Sequence, residues 1–110
     1  MNALKNRVQL IGHVGQDPEI KNLEGGKKLA TISLATNDYY INANGEKVEQ
    51  TEWHRVVAWG KAAEIIEKFV QKGKEIAIEG KLTNRSYDDA SGVKRYVTEV
   101  VINEVLLLSK

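Results

Sequence analysis

The sequence contains no cysteine, a single proline and no strong excess of either charge. The lack of cysteine excludes disulfides, thiolate metal sites and a cysteine nucleophile. Sixteen basic and fifteen acidic residues leave a net charge of +1, which argues against binding duplex DNA through a polybasic arm. No apolar run approaches the length of a membrane span, and the N-terminus lacks the apolar stretch of a signal peptide. The sequence therefore predicts a cytoplasmic protein without a membrane segment.

The length of 110 residues, with 42% hydrophobic and 28% charged residues, is typical of one globular domain. A mass of 12.3 kDa predicts a folded surface of roughly 6,100 Å². A domain of this size buries enough apolar surface to fold without a disulfide or a metal. We therefore expect residues 1–110 to form a single domain.

Sequence signatures of enzymes are missing. The Gly-Lys pairs have neither the upstream glycine nor the following Ser or Thr of a phosphate-binding P-loop. His13 and His54 share no metal-ligand spacing. The carboxylates lie mostly beside lysines, and we interpret them as solvated surface charges. We expect no catalytic residue, no bound metal and no cofactor.

Alternating apolar and polar residues predict five strands, at 7–14, 28–40, 51–59, 75–87 and 94–108. One segment instead has helical spacing and predicts a short helix that ends before Gly73; its apolar residues are Ala62, Ala63, Ile65, Ile66, Phe69 and Val70. In the fourth strand, the residues expected to face the core are Ile76, Ile78, Gly80 and Leu82. One helix between the third and fourth of five strands favours an all-β OB-fold, a Greek-key barrel whose open face binds oligonucleotides or oligosaccharides. An SH3-like barrel is the alternative.

The third predicted strand carries aromatic and basic side chains on one face. Period-2 alternation places no acid on that face of the strand, whose members are Thr51, Trp53, Arg55, Val57, Trp59 and Lys61. The fourth strand directs a similar set away from the core, namely Lys81, Thr83, Arg85 and Tyr87. A third aromatic cluster, Tyr39 and Tyr40, lies at the base of a hairpin.

Aromatic rings that alternate with cations along a strand suit single-stranded nucleic acid. Unpaired bases stack on such rings at about 1–3 kcal/mol per base, and Arg and Lys neutralise the phosphates between them. The alternative for Trp53 and Trp59 is half-buried packing or an interface role. His54 is interpreted as a packed or interfacial histidine rather than as an acid–base group.

Several strings of residues resemble the bacterial single-stranded DNA-binding protein family. They cover nearly all of the chain and are found at 6–12, 15–19, 34–36, 49–57, 59–61, 78–82 and 96–100. The resemblance implies an OB-fold homotetramer that binds and protects single-stranded DNA without sequence preference during replication, recombination and repair. It also implies a nucleoid-associated location. The alternative is a primosomal or other protein-interaction module with the same fold.

The resemblance also implies roles for individual residues. Base stacking falls on Trp53, Trp59, Tyr87 and one of Tyr39 or Tyr40, and phosphate contact falls on Arg7, Arg55, Lys61, Lys72 and Arg85. His54 falls at a subunit interface. Family members usually continue into a flexible linker and an acidic tip, which these 110 residues do not contain. Replication and repair proteins are therefore expected as partners only if the native protein has such a tail.

Overall fold

Six strands and one helix follow one another along residues 5–108, the part of the chain that the computed structural model describes. They are β1 (Val8–Val14), β2 (Glu19–Asn22), β3 (Lys28–Ile41), β4 (Lys47–Trp59), α1 (Lys61–Phe69), β5 (Glu75–Asp88) and β6 (Lys94–Leu107), with a 3₁₀ turn at Glu24–Gly26.

Five of these strands close into a barrel. They are neighbours in the order β1, β5, β6, β4, β3, and β3 pairs back onto β1. Only two residue pairs form this seam, His13 with Ala35 and Val14 with Leu34. A β-carbon at Gly12 would lie 2.2 Å from the carbonyl oxygen of Ala35, so the strands can approach here because Gly12 has no side chain. The predicted five-stranded barrel, with its helix between the third and fourth barrel strands, is confirmed.

The sequence prediction missed β2. This strand pairs antiparallel with residues 28–31 of β3, beside the point where β3 meets β1. Its four residues include one partly buried side chain, Ile20. A strand this short carries too little alternation for its sequence to reveal it.

The core fills the barrel and extends under α1. Its largest fully buried side chains are Leu34, Ile66, Ile76, Val14 and Val56. The helix packs against β3, β4 and β6 and buries Ala63 and Ile66 completely. The helix ends before Gly73, as predicted, but without the glycine as its cap, because the last turn closes at Val70, whose amide donates to the carbonyl of Ile66.

Two hairpins, β3–β4 and β5–β6, project beyond the barrel. The loop of each hairpin has the same hydrogen bonds, in which a side-chain oxygen of Asn42 or Asp89 accepts from two backbone N–H groups at 2.9 and 3.0 Å.

Leu82 lies where β5 leaves the core and is 44% exposed, so its expected core position is wrong. The accessible surface is 8096 Å², about a third above the value expected for a compact monomer of this mass.

Candidate nucleic-acid interface

The outer face of β4 carries both tryptophans. Their exposed fractions are 62% for Trp53 and 46% for Trp59, whereas Val56 and Ala58 on the opposite face are fully buried. Alternation along the strand therefore separates a buried side from an aromatic side, on which Trp53 and Trp59 are exposed and Val57 is buried. Indole rings with this much free surface are accessible to a ligand without unfolding the barrel.

The ring of Trp53 rests on Gly15, which follows β1. A β-carbon at residue 15 would lie 2.4 Å from Cζ3 and 2.7 Å from Cη2 of the indole. The amide of Gly15 donates to the carbonyl of Ser33 at 2.9 Å, which fixes this glycine against β3. Sequence reasoning did not single out this contact, because it depends on tertiary structure.

The strand register separates Tyr39 from Tyr40. Tyr39 lies opposite Glu49 and Ala35 lies opposite Trp53, and positions that differ by an even number share a face of the sheet. Tyr39 is therefore on the face of Trp53, and Tyr40 is on the other. The ammonium of Lys47, which sequence reasoning did not single out, lies 4.4 Å from the centre of the Tyr39 ring.

Three charged side chains from neighbouring strands form an arginine–glutamate cluster, consisting of Arg55 on β4, Glu99 on β6 and Arg85 on β5. The Nε of Arg55 donates to Oε2 of Glu99 at 2.7 Å. The Nε and Nη2 of Arg85 donate to the two carboxylate oxygens at 3.0 and 3.2 Å. The Glu99 side chain is only 7% exposed, whereas the two arginine side chains are 46% and 50% exposed.

The cluster corrects one sequence expectation, because Glu99 is buried rather than solvated. The face of β4 from Thr51 to Trp59 carries no acid of its own, as predicted, but Glu99 of β6 lies beside Arg55. Hydrogen bonds from Arg85, and to a lesser degree from Arg55, hold the pKa of Glu99 below its ordinary value although burial acts to raise it. Glu99 in turn raises the pKa of Arg85. The carboxylate is therefore ionised near neutral pH.

The remaining tyrosines lie on the β5–β6 hairpin. Tyr87 is 47% exposed, and the guanidinium carbon of Arg85 lies 5.8 Å from its ring centre. Tyr96 is 77% exposed and lies opposite Ser86, on the other face of the hairpin from Tyr87. Sequence reasoning assigned no role to Tyr96.

The other predicted cations lie apart from the cluster. Arg7 precedes β1, and its Nε is 4.0 Å from Glu79. Lys61 begins α1 instead of continuing β4, so the alternation of β4 does not reach it; it lines a groove of about 660 Å³ with Ile11 and Leu106. Lys72 follows the helix, and its backbone amide donates to Asp17 at 2.9 Å.

His54 lies on the core side of β4 and is half-buried. Its Nε2 is 2.9 Å from the hydroxyl of Thr36 on β3. Within residues 5–108, no three His, Asp or Glu side chains form a group that could hold a metal ion. No helix in the same range is long and apolar enough to span a membrane.

The fold and the exposed face together define an OB-fold protein with an aromatic and basic strand surface. The model of the single-strand binding protein family matches residues 5–108, and the chain belongs to this family.

Related proteins agree with this assignment. A protein named single-stranded DNA-binding protein from Bacteroides thetaiotaomicron is 48% identical over 106 residues, which are 94% of this chain and 66% of the relative. Single-stranded DNA-binding protein 1 from Chlorobaculum tepidum is 43% identical over 94% of this chain and 64% of its own length. The chain thus spans just under two thirds of the length of these two relatives. A solved structure, the Plasmodium falciparum SSB complex with ssDNA, superposes with a TM-score of 0.88 at 34% identity, covering 99% of this chain and 100% of the other.

Proposed function

We propose that this chain binds single-stranded DNA without sequence preference and protects it during replication, recombination and repair. Residues 1–110 act as one OB-fold DNA-binding domain, without enzymatic activity and without a cofactor. The observation that carries the proposal is the exposure of Trp53 and Trp59 on the same strand face as Arg55. The names and the solved complex of the family members support it.

Binding combines stacking with neutralisation of phosphate. The exposed rings of Trp53, Trp59, Tyr87 and Tyr39 offer flat faces to unpaired bases, and each stacked base contributes about 1–3 kcal/mol. Any base has a π-face, so this contact needs no sequence code. The half-exposed arginines of the cluster, with Arg7, Lys61 and Lys72, contact the backbone. Duplex DNA hides its base faces and cannot use the same rings.

We also propose that the protein is a homotetramer in the cytoplasm, associated with the nucleoid. One OB-fold covers only about 4–16 nucleotides, so several copies are needed to wrap a long strand. The surface of 8096 Å² exceeds that of a compact monomer by about a third, which supports burial of the excess in an assembly. His54 is proposed to lie at a subunit contact. Docking of replication and repair proteins is proposed only for a native protein that continues into an acidic tail.

Tryptophan fluorescence tests the proposal directly, because Trp53 and Trp59 are the only tryptophans in the sequence. Titration with an oligothymidylate should quench the emission strongly, and a duplex of equal length should quench it weakly. A random-sequence single strand should bind within a few-fold of other strands of the same length. Absence of quenching by any single strand would contradict DNA binding and favour the protein-interaction module.

A further inference from the structure

The buried carboxylate of Glu99 has no part in stacking and repels phosphate, yet it lies between two arginines proposed to contact DNA. We propose that the arginine–glutamate cluster is a preformed receptor for one phosphodiester group of the bound strand, and that Glu99 is its positioning residue. This inference rests on the proposed binding of single-stranded DNA.

The hydrogen bonds leave most of the guanidinium donors free. Each guanidinium has five N–H donors; Arg55 uses Nε, and Arg85 uses Nε and Nη2 for Glu99. Within residues 5–108 these are the only side-chain hydrogen bonds of the two arginines. The remaining donors belong to side chains that are about half exposed. Planar guanidinium groups held in this way can donate in pairs to a phosphate.

The charge of the cluster matches one phosphate. Two guanidinium groups and one carboxylate sum to +1, and a phosphodiester carries −1. In the free protein, the negative charge of Glu99 also offsets the repulsion between the two arginines. Each arginine side chain is ordered before binding, so the strand does not have to immobilise it.

The position of the cluster fits a backbone that runs between stacked bases. Arg55 is two residues beyond Trp53 on β4, and Arg85 is two residues before Tyr87 on β5. β6, which carries Glu99, is the strand between β4 and β5. The phosphate is therefore held between the Trp53 ring on one strand and the Tyr87 ring on another.

The alternative is a purely structural cross-link of three strands, and Glu99→Gln separates the two. The matched control is Asp89→Asn, which also removes one negative charge from an arginine partner, Arg95, on the β5–β6 hairpin. Asparagine keeps the side-chain oxygen that accepts the loop amides of Ser91 and Val93. Affinities for oligothymidylate are measured at low salt and at about 1 M salt, where screening leaves mainly short-range contacts.

We expect Glu99→Gln to lose affinity at high salt. Each ordered side chain contributes roughly two- to tenfold, so the loss for two arginines is roughly five- to 100-fold. The slope of log affinity against log salt should steepen by about 0.7 per subunit, because one more cation becomes free to neutralise a phosphate. Asp89→Asn should keep its affinity at high salt. On an oligonucleotide with neutral methylphosphonate linkages, the ratio between wild type and Glu99→Gln should approach one.

Three results would overturn the inference. They are an unchanged affinity of a less stable Glu99→Gln protein, an equal effect of Glu99→Gln and Asp89→Asn, and a loss that persists with the neutral backbone. Should Glu99→Gln fail to fold, Arg85→Lys is the substitute variant, because it keeps the charge and removes the paired donors of the guanidinium. It should lose affinity only for the oligonucleotide with the charged backbone. An unchanged affinity would contradict the receptor. Failure of the wild type to bind any strand would instead refute the proposed function.

Discussion

The indole of Trp53 occupies the space that a side chain at residue 15 would need, so Gly15 and Trp53 are sterically coupled. We expect Gly15→Ala to displace the ring and to lower DNA affinity by up to the value of one stack, about 1–3 kcal/mol. A double-mutant cycle of Gly15→Ala and Trp53→Ala tests this, because Gly15→Ala should have little effect on DNA affinity once the indole is gone. The contrasting variant is Gly12→Ala, which meets the backbone of Ala35 and should lower the melting temperature. An equal affinity loss from Gly15→Ala with and without the indole would show that the ring is not involved.

Trp53 and Trp59 should respond differently to truncation. Trp53→Ala should lower DNA affinity about five- to 150-fold. It should lower the free energy of unfolding by much less than the 3–5 kcal/mol typical of a buried aromatic, because the ring is 62% exposed. Trp59 is more buried, so Trp59→Ala should lower both the DNA affinity and the free energy of unfolding. Phenylalanine at 53 should recover much of the binding and leucine should not. Thermal melts and binding isotherms of the four variants provide the test, and a Trp53→Ala protein that binds normally but melts far below wild type would contradict it.

Tyr39 and Tyr40 form a matched pair for mutation. They are adjacent and similarly exposed, at 57% and 48%, but they lie on opposite faces of β3. Tyr39→Ala should weaken binding by about 1–3 kcal/mol, and Tyr40→Ala should have little effect. The reverse order, measured with the same oligonucleotide, would mean that the strand follows the other face.

Acid should remove the stabilisation that Glu99 provides. Its folded-state pKa is lowered, chiefly by the hydrogen bonds of Arg85 and then of Arg55, so the unfolded chain takes up a proton more readily. The stabilisation is complete above the ordinary glutamate pKa of about 4.3 and is lost as the pH falls through the lower folded value. The difference in melting temperature between wild type and Glu99→Gln should therefore be largest near neutral pH and should shrink as the pH falls below about 4.3. A difference independent of pH would show that ionisation of Glu99 is irrelevant to stability.

His54→Arg should weaken the proposed tetramer. The half-buried imidazole meets Thr36, and a longer, permanently charged side chain there would push into a subunit contact. Light scattering should give four times the mass of the chain for wild type and a smaller mass for the variant. Ser91→Arg, in the exposed hairpin loop, adds the same charge elsewhere and should remain assembled. A monomeric wild type at micromolar concentration would exclude the tetramer.

Local patterns of the sequence predicted five strands, the helix between the third and fourth of them, and a shared face for Trp53 and Trp59. They left an SH3-like barrel and half-buried packing of the tryptophans open, and the family resemblance favoured the OB-fold and the exposed face. Alternation depends on one strand at a time, and the positions of Trp53 and Trp59 follow from it. Glu99 could not be placed in this way, because its partners come from two other strands that the sheet order brings beside β6. The contact between Gly15 and Trp53 could not be predicted for a similar reason, since the two residues are 38 positions apart in sequence.

Two errors arose where a pattern was extended past its element. Lys61 was grouped with β4 although the chain turns into α1 there, and Leu82 was assigned to the core although β5 has already left the barrel. The choice between Tyr39 and Tyr40 needed the register of β3 on β4, which depends on where the hairpin loop begins and ends. The predicted DNA contacts and the subunit contact remain predictions.

The seam between β1 and β3 is as short as the pairing between β4 and β6, and each should be easier to open than the long β3–β4 and β5–β6 ladders. Two residue pairs hold each of them, whereas β3 and β4 pair along 13 residues, and local opening of a protein starts where the fewest contacts must break. Gly15 follows the β1–β3 seam directly, so fluctuations of the seam reach the ring of Trp53. A base stacked on that ring, as we propose, would press it against Gly15 and damp the fluctuation. Bound DNA would then stabilise one of the two short pairings of the barrel, so that DNA affinity and the rigidity of the fold are linked.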